Sequence, residues 1–181
     1  MTVSIDMLPD IPSDLISDVK DFLRLDHDQD DAALSDLVVS AVLLCENFTR
    51  QLLIARTVTE VLPVRNIWQR LSQLPVQVIG AAEDLASDGM ATDLAVDDYA
   101  VDIDSEAYGW LRLNSDAGLS RLRVTYIAGL AEEWTDVPAS LRQGIVRMAG
   151  YLYANRDDAE ADGPPHAVTA LWQPHRRIRI R

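Results

Sequence analysis

The chain has 181 residues, 16 of them basic and 29 acidic, giving a formal net charge of −13 and a sequence pI near 4.4. Such a surface repels polyanions, and phosphate contacts need clustered Lys and Arg, so general nucleic-acid binding is disfavoured. A single cysteine, Cys45, leaves no internal disulfide and no zinc site of the usual spacing. The opening MTVSIDMLPD lacks the pattern of a signal peptide and no long apolar run is present, so the expectation is a soluble protein that stays inside the cell and needs no membrane.

Pro9 and Pro12 open the chain, and Ser13 and Asp14 stand as caps before Leu15, Ile16, Val19, Phe22 and Leu23 at helical spacing, which predicts a helix over 13–25. Asp26, Asp28, Asp30 and Asp31 follow. Leu34, Leu37, Val38, Ala41, Leu44, Cys45, Phe48 and Leu52 then recur every three or four residues and predict a second helix over 31–51. From 54 to 128 the period drops to two. Tyr99, Val101 and Ile103 alternate with Ala100, Asp102 and Asp104, while Leu122, Val124 and Tyr126 alternate with Arg121, Arg123 and Thr125, as in half-buried antiparallel strands. Weaker strand candidates are 54–61, 76–82 and 110–113, with turns at 87–89 and 115–118.

Pro138 suits a helix start, and Leu141, Ile145, Met148, Ala149 and Leu152 form an apolar stripe that predicts a helix over 138–156. Gly163, Pro164 and Pro165 then break regular structure. The expected architecture is α+β: one domain over 1–162, its terminal helices packed together and a small antiparallel sheet inserted between the second and third, followed by a hinge and basic tail over 163–181.

Sites for chemistry are sparse. The run Asp26 to Asp31 begins like a calcium loop, but Asp31 stands where Gly is needed and Leu37 where a bidentate Glu is needed. It reads better as a helix start whose Asp oxygens accept free backbone N–H groups. His27, His166 and His175 are the only histidines, and no nucleophile elbow, zinc-protease motif or phosphate-cradling glycine loop is present. No catalytic residue, metal or cofactor is expected.

Two charge features stand out. The segment from Glu83 to Glu106 holds acids but no Lys or Arg; Asp93, Asp97, Asp98, Asp102 and Asp104 within it could line a passage for DNA without holding it. The last residues, His166 to Arg181, contain no acid, and there Arg177, Arg179 and Arg181 alternate with Ile178 and Ile180, with Trp172, Pro174 and Arg176 before them. This strand-like, cationic end is expected to dock on a partner while remaining separable from its own domain, so that removing 165–181 would leave the fold intact.

Several stretches together resemble one family. Asp18 to Asp26 (DVKDFLRLD), Asp30-Asp31 opening a helix, and Cys45 to Leu53 (CENFTRQLL) are similar to the N-terminal part of head-tail connector (adaptor) proteins of long-tailed phages and gene transfer agents. Leu74-Pro75-Val76-Gln77-Val78-Ile79 resembles that family's Leu-Pro-x-Pro-Val stretch, Tyr126-Ile127-Ala128-Gly129 its Tyr-x-x-Gly, Val137-Pro138 to Tyr153 and Arg156 its last long helix, and 170–180 its closing Pro-x-Arg-Arg motif. Phe48 replaces the usual tyrosine, and the second proline of Leu-Pro-x-Pro-Val falls where this chain already has Pro75, directly before Val76. The resemblance implies a structural virion protein that forms a ring, commonly of twelve copies, between the portal of a filled capsid and the tail-completion or stopper proteins. Such a ring would be assembled in the bacterial cytoplasm and leave a channel for DNA. It also implies that Pro174, Arg176 and Arg177, with neighbouring Trp172 and Ile178, meet the portal. A rival reading from the acidic segment alone is a DNA-mimic inhibitor.

Overall fold

The computed structural model describes residues 2–8, 10–115, 118–155 and 163–177. Among the described residues the protein is α+β, with four α-helices and two antiparallel sheets. Its contacts group into two compact units, 1–8 with 54–132 and 9–53 with 133–181.

The helical unit is built from α1 (Ser13–Leu23), α2 (Asp31–Thr49), α3 (Ala139–Ala154) and α4 (His166–Trp172). The first three match the helical periodicities, each a few residues shorter than predicted. α1 and α2 both stop where an arginine, Arg24 and Arg50, turns into the left-handed region that glycine usually supplies, both at φ 59°. Composition and length would let α2 span a membrane. Its apolar character is spent instead on Leu34, Val38, Ala41, Val42 and Cys45, all buried in the helical core.

The cap reading of the acidic run needs correction. Asp30 sits at the N-cap of α2 but makes no side-chain cap bond; its Oδ2 accepts the Tyr153 hydroxyl from α3 at 2.5 Å. Lys20 Nζ reaches from α1 to Asp28 Oδ1 at 2.6 Å and Asp31 Oδ1 at 2.8 Å. An ammonium therefore fills the space a cation would need, and the run ties α1 to α2.

The tail departs most from expectation. Over 163–177 the chain does not extend but forms α4 and then a 3-10 turn over Gln173–His175, while the expected strand-like alternation from 178 onward lies outside the described residues. Trp172 is fully buried, with its ring 5.8 Å from that of Phe48 and its Nε1 donating to the Leu141 carbonyl at 3.4 Å. The seat exists because residue 144 is glycine, since a Cβ there would collide with the indole. A large aromatic gains most by burial, and here that gain outweighs the chain-breaking effect of the Gly-Pro-Pro stretch.

In the β unit, β1 (Thr2–Ile5), β2 (Arg56–Leu62), β8 (Leu122–Ala128), β4 (Val76–Leu85) and β5 (Ala91–Asp93) lie side by side in that order. β3 (Gln69–Arg70), β7 (Gly109–Leu113) and β6 (Tyr99–Ile103) form the second sheet. The alternation read at 121–126 is the burial pattern of β8, and the weaker candidates at 54–61 and 110–113 are β2 and β7; their inward Val58, Leu62, Leu111, Leu113, Leu122 and Val124 are core residues. The alternation read at 99–104 is a strand, β6, but its Val101 and Ile103 are exposed, because β6 is a sheet edge. β1, β3 and β5 are too short to give a period, and sequence reasoning missed them.

One inward position on β2 carries a carboxylate. Glu60 is fully buried, and its Oε2 accepts the Tyr126 hydroxyl at 2.9 Å and the Ser72 N–H and hydroxyl, both at 3.0 Å. Tyr126 in turn accepts the Gln73 N–H at 3.1 Å. This network pins the 71–75 loop, which contains the cis Leu74-Pro75 bond, onto the sheet. Gly129, three residues after Tyr126, is required because its backbone crosses directly against Ala55.

Truncation before Pro165 should therefore lower thermal stability sharply instead of leaving the fold intact. Trp172→Ala should cost about 3–5 kcal/mol in denaturant unfolding, as emptying a large aromatic site does. A truncated protein that melts at the full-length temperature would refute this seat for the indole.

Candidate interaction surfaces

Anchoring by Trp172 decides what the C-terminus can offer. The Gln51 side-chain amide donates to the His175 carbonyl at 2.5 Å, and Ser140 Oγ lies 2.7 Å from His175 Nε2. The Arg177 N–H donates to the Thr49 carbonyl at 2.9 Å. These bonds lead the chain across the C-terminal end of α2. Arg176 is exposed, and its guanidinium stacks over the Phe48 ring at 5.2 Å, a cation–π contact that orients the charge without neutralising it. Phe48, the residue that replaces the family's tyrosine, thus contacts Trp172 and Arg176 together.

Of the predicted docking residues, Pro174 and Arg176 are exposed and Arg177 is half-buried. Ile178, Arg179 and Arg181 lie outside the described residues. Trp172 is a correction: being fully buried, it positions the end and cannot itself meet a partner.

The acidic segment is less uniform than its sequence. Glu83 is held by Arg123 on the neighbouring strand through two bonds of 2.6 and 2.7 Å, and the hydrogen bond from Arg123 pulls the Glu83 carboxyl below its ordinary value. Asp84 Oδ1 accepts the Ser120 N–H at 2.8 Å, and Asp88 Oδ1 accepts the Met90 N–H at 2.9 Å. Asp104 Oδ2 accepts the Trp110 indole N–H at 2.9 Å, and its Oδ1 accepts the N–H groups of Glu106 and Tyr108 at 2.9 and 3.0 Å. The indole bond is the main reason its carboxyl is lowered. Asp104 therefore locks the β6–β7 turn and is set apart from the other predicted channel acids. Asp93, Asp97, Asp98 and Asp102 are exposed.

Little here suits catalysis. Burial raises the Cys45 thiol far above its ordinary value, which keeps it protonated and unreactive. An open groove of about 400 Å³ in the helical unit is lined by Asp18, Phe22, Ala139, Arg142, Gln143 and Val146, a set that includes one carboxylate and one guanidinium but no base beside a nucleophile.

Residues 13–103 match the model of the phage gp6-like head-tail connector protein family, and the chain belongs to that family. Membership makes it a structural connector rather than an enzyme. The fold is also that of a chain in the neck of an empty gene transfer agent particle computed with C6 symmetry, at 24% identity and a TM-score of 0.80, with 100% of this chain and 98% of that one covered. A chain from the virion of a native gene transfer agent particle is similar at 23% identity and 0.79. So is one from the neck of a native particle computed with C12 symmetry, at 23% and 0.77, and both cover 100% of this chain and 98% of their own. No curated protein matches the chain.

Acid should weaken the β unit in a defined way. Carboxyls lowered in the folded state contribute stability that is complete above their unfolded values, ordinarily 3.8 for Asp104 and 4.5 for Glu83, and that is lost as pH falls through the lowered folded values. Melting temperature measured from pH 7 to pH 2 should fall in that window, and the fall should be shallower in Asp104→Asn and in Arg123→Leu. Parallel curves for all three proteins would contradict the assignment.

Proposed function

We propose that this protein is a head-tail adaptor of a virion neck, a ring that joins the portal of a DNA-filled capsid to the tail and leaves a channel for DNA. The observation that carries this reading is the family match, supported by a whole-chain likeness in fold to neck chains of gene transfer agent particles. Twelve copies would form the ring, assembled in the bacterial cytoplasm, with a tail-completion or stopper protein on the face away from the portal. The mechanism is positional. Trp172 holds the chain end in place, and Pro174, Arg176, Arg177 and the residues after them reach the portal, where guanidinium groups pair with carboxylates.

A net charge of −13 keeps the passing duplex from adhering to the ring. Of the acids expected in the channel wall, Asp93 keeps that role here. Asp97, Asp98 and Asp102 lie on or beside the edge strand β6 and are assigned below. The DNA-mimic alternative loses ground, because Glu83 is neutralised by Arg123 and Asp84, Asp88 and Asp104 face backbone N–H groups of their own chain.

Purified protein mixed with its portal should give a ring in negative stain, and Arg176→Glu combined with Arg177→Glu should weaken portal binding at least about tenfold, since like charges then face each other. Melting should shift little, because Arg176 is exposed. Undiminished binding by the double variant would refute the role of the tail; failure of the wild-type protein to bind portal at all would refute the adaptor reading.

A further inference from the structure

We propose that the two edges of the three-stranded sheet are the two halves of one subunit–subunit seam, the β3 edge of one copy docking on the β6 edge of the next. The inference deepens the adaptor reading, on which it rests for the existence of neighbouring copies.

The β unit has six arginines, Arg56, Arg65, Arg70, Arg112, Arg121 and Arg123. Arg56 is buried, Arg121 donates to the Ala86 carbonyl and Arg123 holds Glu83. The other three lie on or shortly before the β3 and β7 strands of the second sheet. Arg65 is exposed just before β3, Arg70 lies on β3 and stacks over Tyr108 at 4.9 Å, and Arg112 of β7 stacks over Trp68 at 5.1 Å. Beside them Ile67 is 58% exposed and Trp68 42%. Exposed Trp and Ile among arginines make the composition of an interface core, which a solvated loop has no reason to carry.

The opposite edge is its complement. Strand order β3-β7-β6 places β6 across the sheet from Arg70, with Arg112 on the central strand between them. Asp97 and Asp98 precede it, Asp102 lies on it opposite Trp110, and Val96, Val101 and Ile103 are 80%, 44% and 38% exposed. Three strands at the usual spacing put the backbones of the two edge strands about 10 Å apart, and Arg70 is spent in part on Asp104 just after β6, where it adds to the Trp110 bond in lowering the carboxyl. Asp97, Asp98 and Asp102 are exposed beside the exposed Val96, Val101 and Ile103, and this surface is left for a partner. The two edges differ in surface, so one copy meets the next head to tail. That is the contact that closes into rings, whereas a self-complementary patch stops at a dimer. Covering β6 also removes an exposed apolar strand edge, which proteins otherwise need to guard.

The test uses the full chain with its portal and counts ring copies by negative stain and native mass spectrometry. One variant carries Arg65→Glu and Arg70→Glu, the other Asp97→Arg and Asp102→Arg, with circular dichroism and melting checked for both. Each alone should assemble at least about tenfold less than wild type, because like charges meet at every seam. An equimolar mixture should assemble again, since every junction between unlike variants pairs opposite charges. This rescue separates a lost seam from a lost fold. Full assembly by either variant alone, or no recovery on mixing, would overturn the proposed seam while leaving the adaptor reading standing. Wild-type protein that forms no ring on its portal would instead overturn that reading, and this seam with it.

Discussion

The burial of one indole against a glycine governs what the helical unit can do. Trp172 stands between α3 and Phe48, and its ring occupies the space that any side chain at position 144 would fill. Once it is seated, the hydrogen bonds from Gln51 to His175 and from Arg177 to Thr49 follow at little further entropic cost, because the backbone there is already fixed. The consequence is directional. A chain end that leaves from a fixed point presents its charges in a reproducible place, and binding then loses less free energy to ordering than a free strap would. The arginines retain the docking role proposed for them, but they act from a rigid base.

Charge in the β unit follows similar logic. Acids that look alike in sequence divide into those that hold the fold and those that face outward. Glu83 and Asp104 have specific donors, and both are lowered by the hydrogen bonds that hold them. Asp97, Asp98 and Asp102 are exposed on the side of the sheet away from Arg65 and Arg70. A net charge spread evenly would only keep copies apart. With Arg70 on the β3 edge, Arg65 just before it and exposed acids along the β6 edge, the proposed seam lets repulsion between bodies coexist with attraction between particular edges.

The legible part of the sequence was where period and burial coincide. α2 showed itself through Leu34, Val38, Ala41 and Cys45, and β8 through strict alternation, because in each the apolar positions are the core positions; the equal alternation of β6 gave the strand but not its burial, since an edge strand leaves Val101 and Ile103 exposed. The tail was misread for a physical reason. Gly163, Pro164 and Pro165 end a helix but do not prevent another from starting, and Pro165 sits at the N-cap of α4. Seven residues are too few to show a helical period, and basic composition masked the indole among them. The Glu60 network left one signal that could have been used: an acid at an inward position between the apolar Val58 and Leu62. The arginines left none, since Arg70 and Arg112 are far apart in sequence and come to neighbouring strands only through the pairing of β3 with β7.

A connector needs surfaces whose relative positions survive load, and the buried polar groups of the β unit suit that demand better than an apolar core would. Glu60 Oε2 takes three donors at once, from Tyr126 and from Ser72, and Tyr126 extends the network to Gln73. Removing any member leaves a charged or polar atom unpaired away from water, so partial disorder of the 71–75 loop is costly, whereas an apolar contact there could slide. That loop follows directly on β3, the strand that carries the proposed arginine edge. The buried network therefore fixes one end of the strand on which the proposed seam depends.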